Sequence, residues 1–334
     1  MAANIYEVSK AAGVSIATVS RVLNHSSKVS EKTKSKVLAA IESLGYTPNA
    51  FAQGLGLKTM KTVGILCADS SDTFFSAVIF YLEENLRKEG YNCILCCSGH
   101  ELERKKDSVA FLLSKSVDAL ILLGSTYMGR TAKDTDYILQ AADTTPIICI
   151  NCHLKHPNIY CVENDPFDSI YKVTRCALRA GCCKPMFLFR RIDRYSLEKQ
   201  RGFQTATAEA GIENAQIIKC PQSIADAASF LLQQVVEFPD VVIASHDEVA
   251  VAFLKYAKRV GLAVPEKCMI IGHGDLMLAE CCEPELTTVN LHVPQLCSVA
   301  VSNLMLVLQG QVPAHQTTIA GELHVRDTTI GIQG

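Results

Sequence analysis

One face of a predicted helix near the amino terminus carries short polar side chains and a single arginine. Ile16, Ala17, Ser20, Arg21 and Asn24 recur at spacings of three and four residues, so they share one side of a helix. A guanidinium donates a fork of hydrogen bonds, and hydroxyl and amide groups reach neighbouring acceptors, whereas none of these groups is a nucleophile paired with a base. This chemistry favours recognition of nucleobase edges and phosphates over catalysis.

Two helices joined by a tight turn would present that face. Val19, Val22 and Leu23 lie on the opposite face and can pack against a preceding helix. Gly13 can supply the turn, and Ser15 can cap the second helix. The pattern predicts a helix-turn-helix whose second helix enters a major groove, with an ordinary two-helix hairpin as the alternative.

A third helix is predicted to complete this amino-terminal unit. Ser30 can cap its start and Gly45 can close its end. The apolar positions predicted to hold the three helices together are Val37, Leu38, Ile41 and Leu44.

Residues 4–24, 29–33 and 44–49 resemble the start of LacI-family transcription regulators, and the order of segments continues over nearly the whole chain. We expect Arg21 to contact guanine O6 and N7, and Ile16 and Ala17 to touch a thymine methyl group or merely fit. The resemblance implies phosphate contacts from Tyr6, Lys28, Ser30 and Thr33, each of which is otherwise a solvated polar side chain. The predicted headpiece contacts are Tyr6, Ser15, Ile16, Ala17, Thr18, Ser20, Arg21, Asn24, Lys28, Ser30 and Thr33.

Residues 48–56 resemble the hinge helix of the same family. Pro48 suits a helix start, but the segment is short, and Gly54 and Gly56 each weaken a helix by about 1 kcal/mol relative to alanine. We expect it to fold only when it pairs with a second copy on DNA. The resemblance makes Leu55 a wedge in the minor groove, and the alternative is a linker leucine packed on the body. The predicted hinge contacts are Asn49, Ala52, Gln53 and Leu55.

Charge is divided unevenly along the 334 residues. The net charge of the chain is −2, yet residues 1–62 hold eight basic and three acidic groups. A basic arm on an acidic body is the layout of a protein that meets phosphate with one end. The sequence has no apolar run of 18 residues and no signal-peptide core, so we expect a cytoplasmic protein with no membrane segment.

Strand and helix signals alternate from residue 63 onward, which predicts an α/β body of two doubly wound parallel-sheet subdomains behind an all-α headpiece. The resemblance, which extends to periplasmic-binding proteins, implies three crossings of the chain between the subdomains. The expected bounds are 1–47 for the headpiece, 48–62 for hinge and linker and 63–334 for the body, with an N-subdomain of about 63–162 and 291–323 and a C-subdomain of about 163–290 and 324–334. The predicted strands are Val63–Cys67, Asn92–Cys97, Ala119–Leu123, Pro146–Ile150, Met186–Phe189, Gln216–Lys219, Val241–Ala244 and Cys268–Ile271.

Loops that follow the strand ends should surround a cleft between the subdomains, because ligands of open α/β sheets bind beyond the carboxyl ends of the strands. The resemblance implies a small-molecule effector there, a sugar or a related metabolite. The predicted effector contacts are Asp72, Phe74, Phe75, Ser125, Glu163, Arg194, Lys199, His246, Asp247 and Asp275.

Three positions depart from the family pattern. Lys199 stands where an arginine is usual, His246 where an asparagine is usual, and Gly274 where a ligand-contacting aspartate is usual. Asp275 could take over the contact that is lost at Gly274. At position 199, lysine holds planar anions and paired hydroxyls less rigidly than arginine does. Two alternatives stay open: a regulator with a degenerate cleft that answers to a protein partner, and a small-molecule binding protein without a DNA function.

Motifs of catalysis are absent from the sequence, which has no Gly-x-Ser-x-Gly motif, phosphate-binding loop or His-Glu-x-x-His. Two Cys-x-x-Cys pairs, Cys93/Cys96 and Cys149/Cys152, fall in or at the end of predicted strands. Core packing is expected for them ahead of a redox switch or a zinc site. We predict no enzyme activity, no cofactor and no metal.

The interpretation as a whole is a sequence-specific regulator, a repressor that works as a homodimer. A two-fold dimer presents two headpieces to the half-sites of a palindromic double-stranded DNA operator. An effector in the cleft would change the relative position of the subdomains and so permit or forbid the hinge helix.

Overall fold

The computed structural model describes residues 3–23, 28–46, 59–129 and 131–332. Its first part is a three-helix bundle, here called the headpiece. The headpiece core is small and aliphatic, and Val8, Val19 and Val37 are fully buried in it. The headpiece helices are α1 (Ile5–Ala12), α2 (Ile16–Leu23) and α3 (Glu31–Leu44).

Local hydrogen bonds determine where the headpiece helices begin and end. Asn4 and Glu7 form a capping box at the start of α1, and Gly13 ends that helix in the left-handed region at a φ of 65°. The Ser15 hydroxyl accepts the backbone amide three residues further on at 3.2 Å, and Ser30 caps α3 in the same way. The predicted turn at Gly13 and the predicted caps at Ser15 and Ser30 are confirmed.

The α3 helix departs from the sequence prediction at two positions. Val37 and Ile41 pack in the headpiece core, but Leu38 and Leu44 are 48% and 38% exposed, and Ala40 is buried instead. Leu38 lies about 100° around the helix from Val37. Leu44 lies in the last turn of a 14-residue helix that packs on two helices of 8 residues. The prediction that these two leucines hold the headpiece together is therefore wrong.

Two six-stranded sheets organise the rest of the described chain. The strands of the first, called the N-sheet, are β1 (Thr62–Cys67), β2 (Asn92–Cys97), β3 (Ala119–Leu123), β4 (Ile147–Ile150), β5 (Ile159–Asn164) and β11 (Gln316–Ile319). The strands of the second, called the C-sheet, are β6 (Pro185–Phe189), β7 (Gln216–Lys219), β8 (Val241–Ala244), β9 (Met269–Gly274), β10 (Thr287–Asn290) and β12 (Glu322–His324).

The N-sheet is parallel throughout, in the order β2–β1–β3–β4–β5–β11. The C-sheet has the order β7–β6–β8–β9–β10–β12 and is parallel except for β12, which runs antiparallel to β10. The central strands β1, β3, β4 and β8 are apolar and almost wholly buried, as expected for parallel strands covered on both faces. The predicted fold class is confirmed.

Helices connect the strands and cover both sheets. Short 3-10 turns lie at Ser125–Met128 and Ala132–Asp134. Within the described residues no helix is long and apolar enough to cross a membrane. The helices of the body are α4 (Thr73–Lys88), α5 (Leu102–Ser114), α6 (Asp136–Ala142), α7 (Pro166–Arg179), α8 (Arg194–Glu209), α9 (Ile224–Gln234), α10 (Asp247–Val260), α11 (Met277–Cys281) and α12 (Val293–Leu308).

Every predicted strand is present, with ends that agree to within three residues. The strands β5, β10, β11 and β12 were not expected from the sequence. Three of these four are rich in threonine or polar residues and only three or four residues long, so they lack the apolar run that signals a strand. Pairing with a neighbouring strand defines them, and for β11 that neighbour, β5, is about 150 residues away in the sequence.

The chain passes between the two sheets three times, after β5, after β10 and after β11. The buried side chain of Asn164 joins these passages, because its amide nitrogen donates to the Leu291 carbonyl at 3.1 Å and to the Ile319 carbonyl at 3.0 Å. At the opposite end of the N-sheet, the Asp118 carboxylate accepts the Met60 and Thr62 amides at 3.1 and 2.9 Å. The segment that enters the N-sheet is thereby held to it.

Candidate DNA-binding face and ligand cleft

The outer face of α2 is open to solvent. Arg21 and Ala17 are exposed, and Ile16 is 37% exposed, whereas Val19 and Val22 on the inner face are buried in the headpiece core. The amphipathic pattern of the helix therefore places the Arg21 guanidinium and the apolar side chains of Ile16 and Ala17 together on the exposed face of α2. This composition suits hydrogen bonding to a base edge with apolar contacts beside it.

The other predicted DNA contacts flank this face. Tyr6 is 69% exposed at the start of α1, and Ser15, Lys28 and Ser30 are exposed as well. Thr18, Ser20 and Thr33 are half-buried. The hydroxyls of Ser15 and Ser30 already serve as helix caps, so they can meet a phosphate only in addition to that role. The predicted contacts Asn24, Asn49, Ala52, Gln53 and Leu55 lie outside the described residues.

A cleft that is partly open to solvent lies between the carboxyl ends of the two sheets. Each wall comes from the loops and helix starts that follow parallel strands. Six of the predicted effector contacts line it: Asp72, Phe74, Phe75, Ser125, Lys199 and His246. Residues that the sequence analysis did not select also line it, among them Thr73, Asn151, Arg191, Asp193, Tyr195, Glu248 and His273.

Ion pairs and hydrogen bonds join the two walls. Asp72 caps α4 by accepting the Phe74 amide at 3.1 Å, and its other oxygen lies 3.4 Å from the Arg191 guanidinium on the opposite wall. The Thr73 hydroxyl donates to the Glu248 carboxylate, also across the cleft. Arg190 lies 3.3 Å from that same carboxylate. These charged groups are only slightly exposed, so the contacts between the walls are screened less than surface pairs are.

A second set of contacts between the walls lies deeper. The Tyr195 hydroxyl, at the start of α8, donates to Asn151 Oδ1 at 2.9 Å and contacts the Asn164 carbonyl. Asn151 follows β4 with a φ of 50°, and its Oδ1 also accepts the Asn164 amide at 2.9 Å. Burial raises the pKa of Tyr195 well above its usual value, so this hydroxyl stays protonated and acts as a donor.

Lys199 is a buried cation on the floor of the cleft. Its side chain is 3% exposed and its Nζ donates to the Ser245 carbonyl at 2.6 Å. Within the described chain no carboxylate forms an ion pair with it. Burial lowers the pKa of Lys199 to about 8, although the more distant Asp193 and Asp247 charges raise it. A ligand that accepts a hydrogen bond or brings a negative charge would stabilise the protonated form.

Two histidines beside Lys199 are held neutral. Burial, reinforced by the Lys199 charge, lowers the pKa of both His246 and His273 well below the usual value. His246 Nδ1 hydrogen-bonds the Ser245 hydroxyl at 2.8 Å, and His273 Nε2 hydrogen-bonds the Ser169 hydroxyl at 3.0 Å. His273 Nδ1 is buried and has no hydrogen-bond partner within the described residues.

The aromatic part of the cleft fits closely to the backbone. Phe74 and Phe75 meet edge to face with their ring centroids 5.9 Å apart. A Cβ atom at Gly124, where φ is 91°, would lie 2.6 Å from the Phe75 ring. Gly124 is therefore required both by its backbone conformation and by the ring packed on it.

Two predicted effector contacts are engaged in the C-sheet, outside the lining of the cleft. Buried Asp247 accepts the Thr288 hydroxyl at 2.5 Å and the Leu276 amide at 3.0 Å, and burial raises the pKa of Asp247 to about 6. Asp275 is 2.8 Å from His324 and 2.7 Å from Arg326. Both carboxylates thus bind protein groups in this structure, and neither lines the cleft.

Glu163 and Arg194 also lie outside the lining. The Glu163 carboxylate accepts a hydrogen bond from the Gln316 side-chain amide at 2.7 Å and lies 3.6 Å from His153. It therefore contacts β11 and the loop after β4. Arg194 is the exposed first residue of α8, and the cleft is lined instead by the residues that follow it in that helix, beginning with Tyr195 and Ser196. Its neighbours Arg191 and Tyr195 reach the cleft in its place.

The cysteines form no metal cluster within the described residues, where no group of three or more suitable side chains was found. All fifteen are free thiols. Cys93 and Cys96 lie three apart on β2, so they point to opposite faces of the N-sheet. Cys149 and Cys152 are fully buried and contact each other.

Comparison with known proteins matches the amino-terminal part of the chain and the body to two different family models. Residues 4–49 match the model of bacterial regulatory proteins of the lacI family, and residues 175–329 match that of the periplasmic binding protein-like domain. The chain is 43% identical over 331 residues to an HTH-type transcriptional regulator of Lachnoclostridium phytofermentans, covering 98% of this chain and 99% of the relative. It is 31% identical over 317 residues to the sucrose operon repressor of Streptococcus mutans, covering 93% and 94%.

Solved structures share the fold over the same length. The lac repressor dimer bound to operator and the anti-inducer ONPF superposes with a TM-score of 0.87 at 22% identity, over 98% of this chain and 99% of that one. A complex of the transcriptional regulator CelR with cellobiose superposes with a TM-score of 0.68 at 23% identity, over 98% and 99%. At these identities the likeness shows the fold alone.

Proposed function

We propose, on the premise that this chain belongs to the lacI family of bacterial regulatory proteins, that it is a homodimeric repressor controlled by a small molecule in the cleft. Membership in that family makes the chain a DNA-binding transcriptional regulator and not an enzyme. The proposal adds the dimer, the manner of operator recognition and the effector. Its functional division is a headpiece of residues 1–47, a hinge and linker of 48–62 and a body of 63–334.

Operator recognition is assigned to the exposed face of α2. Arg21 donates two hydrogen bonds to guanine O6 and N7, and Ile16 and Ala17 face a thymine methyl group. Tyr6 and Lys28 position the headpiece on the phosphates without selecting sequence. Two headpieces related by a two-fold axis then require a palindromic operator, and Leu55 of each hinge enters the minor groove at its centre.

Control by an effector is carried by one observation, the set of contacts that join the cleft walls. Arg191 pairs with Asp72, and Thr73 donates to Glu248, so a molecule entering the cleft must accommodate or replace contacts between the sheets. The effector binds one arrangement of the two cleft walls more tightly than the other. This difference in binding free energy sets the largest shift that the effector can cause in the equilibrium between the two arrangements. The printed names of the relatives, a sucrose operon repressor and a cellobiose-bound regulator, support a sugar as the effector class.

The test of operator recognition begins with selection of bound fragments from random DNA by the full-length protein at near-physiological salt. We expect an enriched palindrome. Arg21→Ala should reduce discrimination between that sequence and scrambled DNA by about 5-fold to 150-fold per half-site, because a bidentate base contact is worth about 1–3 kcal/mol. Arg21→Lys is the matched control, since it keeps the charge and loses the fork. Equal discrimination by the wild type and Arg21→Ala would refute this assignment.

The test of effector control is thermal unfolding with neutral mono- and disaccharides. A sugar at about a hundredfold excess over its Kd should stabilise the protein by about 2.7 kcal/mol. The same sugar should change the affinity for the selected operator. Stabilisation without a change in operator affinity would contradict effector control while leaving DNA recognition intact. Operator binding that responds only to a protein from the source cell would favour the degenerate-cleft alternative.

A further inference from the structure

Two thiols from neighbouring strands of the N-sheet are in contact. The register of β1 and β2 sets Cys67 directly opposite Cys97, at the last residue of each strand. Their Sγ atoms are 3.8 Å apart. Because the pair is a cross-strand pair and not a Cys-x-x-Cys motif, spacing in the sequence does not reveal it.

The backbone positions of this pair are compatible with a disulfide. Neighbouring strands lie about 4.7–4.9 Å apart, and the Cα atoms of bonded cysteines usually lie about 4.4–6.8 Å apart. The sulfurs must approach from 3.8 Å to about 2.05 Å, which side-chain rotation at the end of two strands can supply. Ladder hydrogen bonds continue beyond the pair, since the Ser98 amide donates to the Cys67 carbonyl at 2.9 Å.

The two thiols differ in access to solvent. Cys97 is exposed, whereas Cys67 is fully buried in the core between the N-sheet and its helices. An oxidant in solution therefore reaches Cys97 first, and Cys67 can then react with the Cys97 sulfur once that sulfur is part of a mixed disulfide.

Two other groups of thiols in the described chain lack this combination. Cys93 and Cys96 point to opposite faces of β2 and cannot meet. The thiols of Cys152 and Cys161 contact that of Cys149, but all three are fully buried. Contact and access to solvent come together at Cys67 and Cys97.

We propose that Cys67 and Cys97 form a thiol–disulfide modification site that is oxidised by a low-molecular-weight disulfide. The Cys97 thiolate attacks one sulfur of the small disulfide RSSR, forms a mixed disulfide and releases one RS⁻ group. The Cys67 thiolate then attacks the Cys97 sulfur, forms the Cys67–Cys97 bond and releases the second RS⁻ group. Two thiols of the protein lose two protons and two electrons, and RSSR is reduced to two RSH.

The rate of closure should depend on pH through the buried thiol. Burial, together with the neighbouring Cys97, raises the pKa of Cys67 to about 12. Only the thiolate attacks, so ring closure should accelerate about tenfold for each unit of pH below that value. The site lies five residues before Asp72, at the base of the loop that carries the Asp72–Arg191 contact across the cleft.

The experiment uses the native full-length protein and oxidised glutathione as the probe. After acid quenching and alkylation of free thiols, peptide mapping by mass spectrometry should find Cys67 and Cys97 joined within one chain. The mixed disulfide at Cys97 should precede that product and convert to it faster at pH 9 than at pH 8. Cys97→Ser should abolish the product, and Cys67→Ala should stop the reaction at the mixed disulfide.

Cys93→Ser is the matched control, because Cys93 lies on the same strand and the same face as Cys97 but is only partly exposed and has no thiol opposite it. Its product should equal that of the wild type. Three results would overturn the proposal: a mixed disulfide at Cys97 that never closes at either pH, a disulfide between Cys97 residues of two chains, and unchanged free Cys67 in a protein oxidised elsewhere. None of these outcomes bears on the proposed regulatory function.

Discussion

Replacing Lys199 by methionine should stabilise the protein at neutral pH, although it removes a hydrogen bond. Lys199 is 3% exposed and has no ion-pair partner in the described chain, and its ammonium group donates to the Ser245 carbonyl and lies 5.9 Å from the Tyr195 ring centroid. Methionine has a similar length and no charge, so it fills the same space on the cleft floor. Lys199→Met therefore separates the cost of burying a charge from the value of the hydrogen bond.

The magnitude follows from the pKa of the lysine. Folding lowers it from 10.5 to about 8, and this difference corresponds to about 3 kcal/mol of destabilisation when the group is charged in both states. The unfolded chain binds the proton more tightly, so the cost is fully present below pH 8 and disappears as pH rises to about 10.5. Loss of the bond to the Ser245 carbonyl costs about 1–2 kcal/mol at every pH.

The assay is denaturant unfolding of both proteins at pH 7 and pH 10.5, at one chain concentration because the stability of the proposed dimer would depend on that concentration. We expect Lys199→Met to be about 1–2 kcal/mol more stable than wild type at pH 7 and about 1–2 kcal/mol less stable at pH 10.5. Lys184→Met is the control, because that side chain is 66% exposed and should give the same difference at both pH values. A Lys199→Met protein that is equally destabilised at both pH values would refute the reasoning.

Three further predictions concern stability and local order. Asn164→Ala removes the donor to two buried carbonyls and should lower the free energy of unfolding by about 2–4 kcal/mol in the same denaturant assay; no loss would contradict its joining role. Gly124→Ala should cost about 1–3 kcal/mol and turn the Phe75 ring away, and an unmoved ring in a crystal structure of the variant would contradict the close fit. Asn4→Ala should speed hydrogen exchange in the first turn of α1, since the helix loses a cap worth about 0.5–2 kcal/mol, whereas Asn4→Ser should not.

The headpiece was predictable because its information is local. Gly13 and Ser15 act within a few residues of themselves, and the spacing of Val19 and Val22 indicates which face of α2 is buried. Periodicity identifies a face but not the length of the partner that covers it. This explains why Leu44, at the end of the longer α3 helix, remains exposed, whereas Leu38 is exposed because it lies off the face that carries Val37.

The sheets were predictable where strands are long and apolar, and not where pairing alone makes them strands. The run Ala119–Leu123 is buried throughout and signals a strand from its composition. The Gln316–Ile319 segment is largely exposed and becomes a strand only because it pairs with Ile159–Asn164, about 150 residues earlier. The sequence contains no local sign of that partner.

The location of the cleft was easier to predict from the sequence than the side chains that line it. Loops that follow strand ends identified its walls, because the carboxyl ends of parallel strands meet at one edge. The choice among residues within a loop depends on distant partners. Asp247 is turned inward by Thr288, and Asp275 is held by Arg326, each more than 40 residues away along the chain. His273 was not among the predicted contacts, because the lack of a hydrogen-bond partner for its Nδ1 atom depends on the packing of the folded chain.

The single amide of Asn164 has a mechanical consequence. It ties the three passages between the sheets at one point, and bodies linked at a common pivot keep rotation while sliding is suppressed. The cleft contacts lie on one side of this pivot, and Thr62, clamped to the N-sheet by Asp118, lies at the other end of that sheet. In the proposed mechanism of effector control, an opening of the cleft would turn the N-sheet about this pivot and displace Thr62 at its far end.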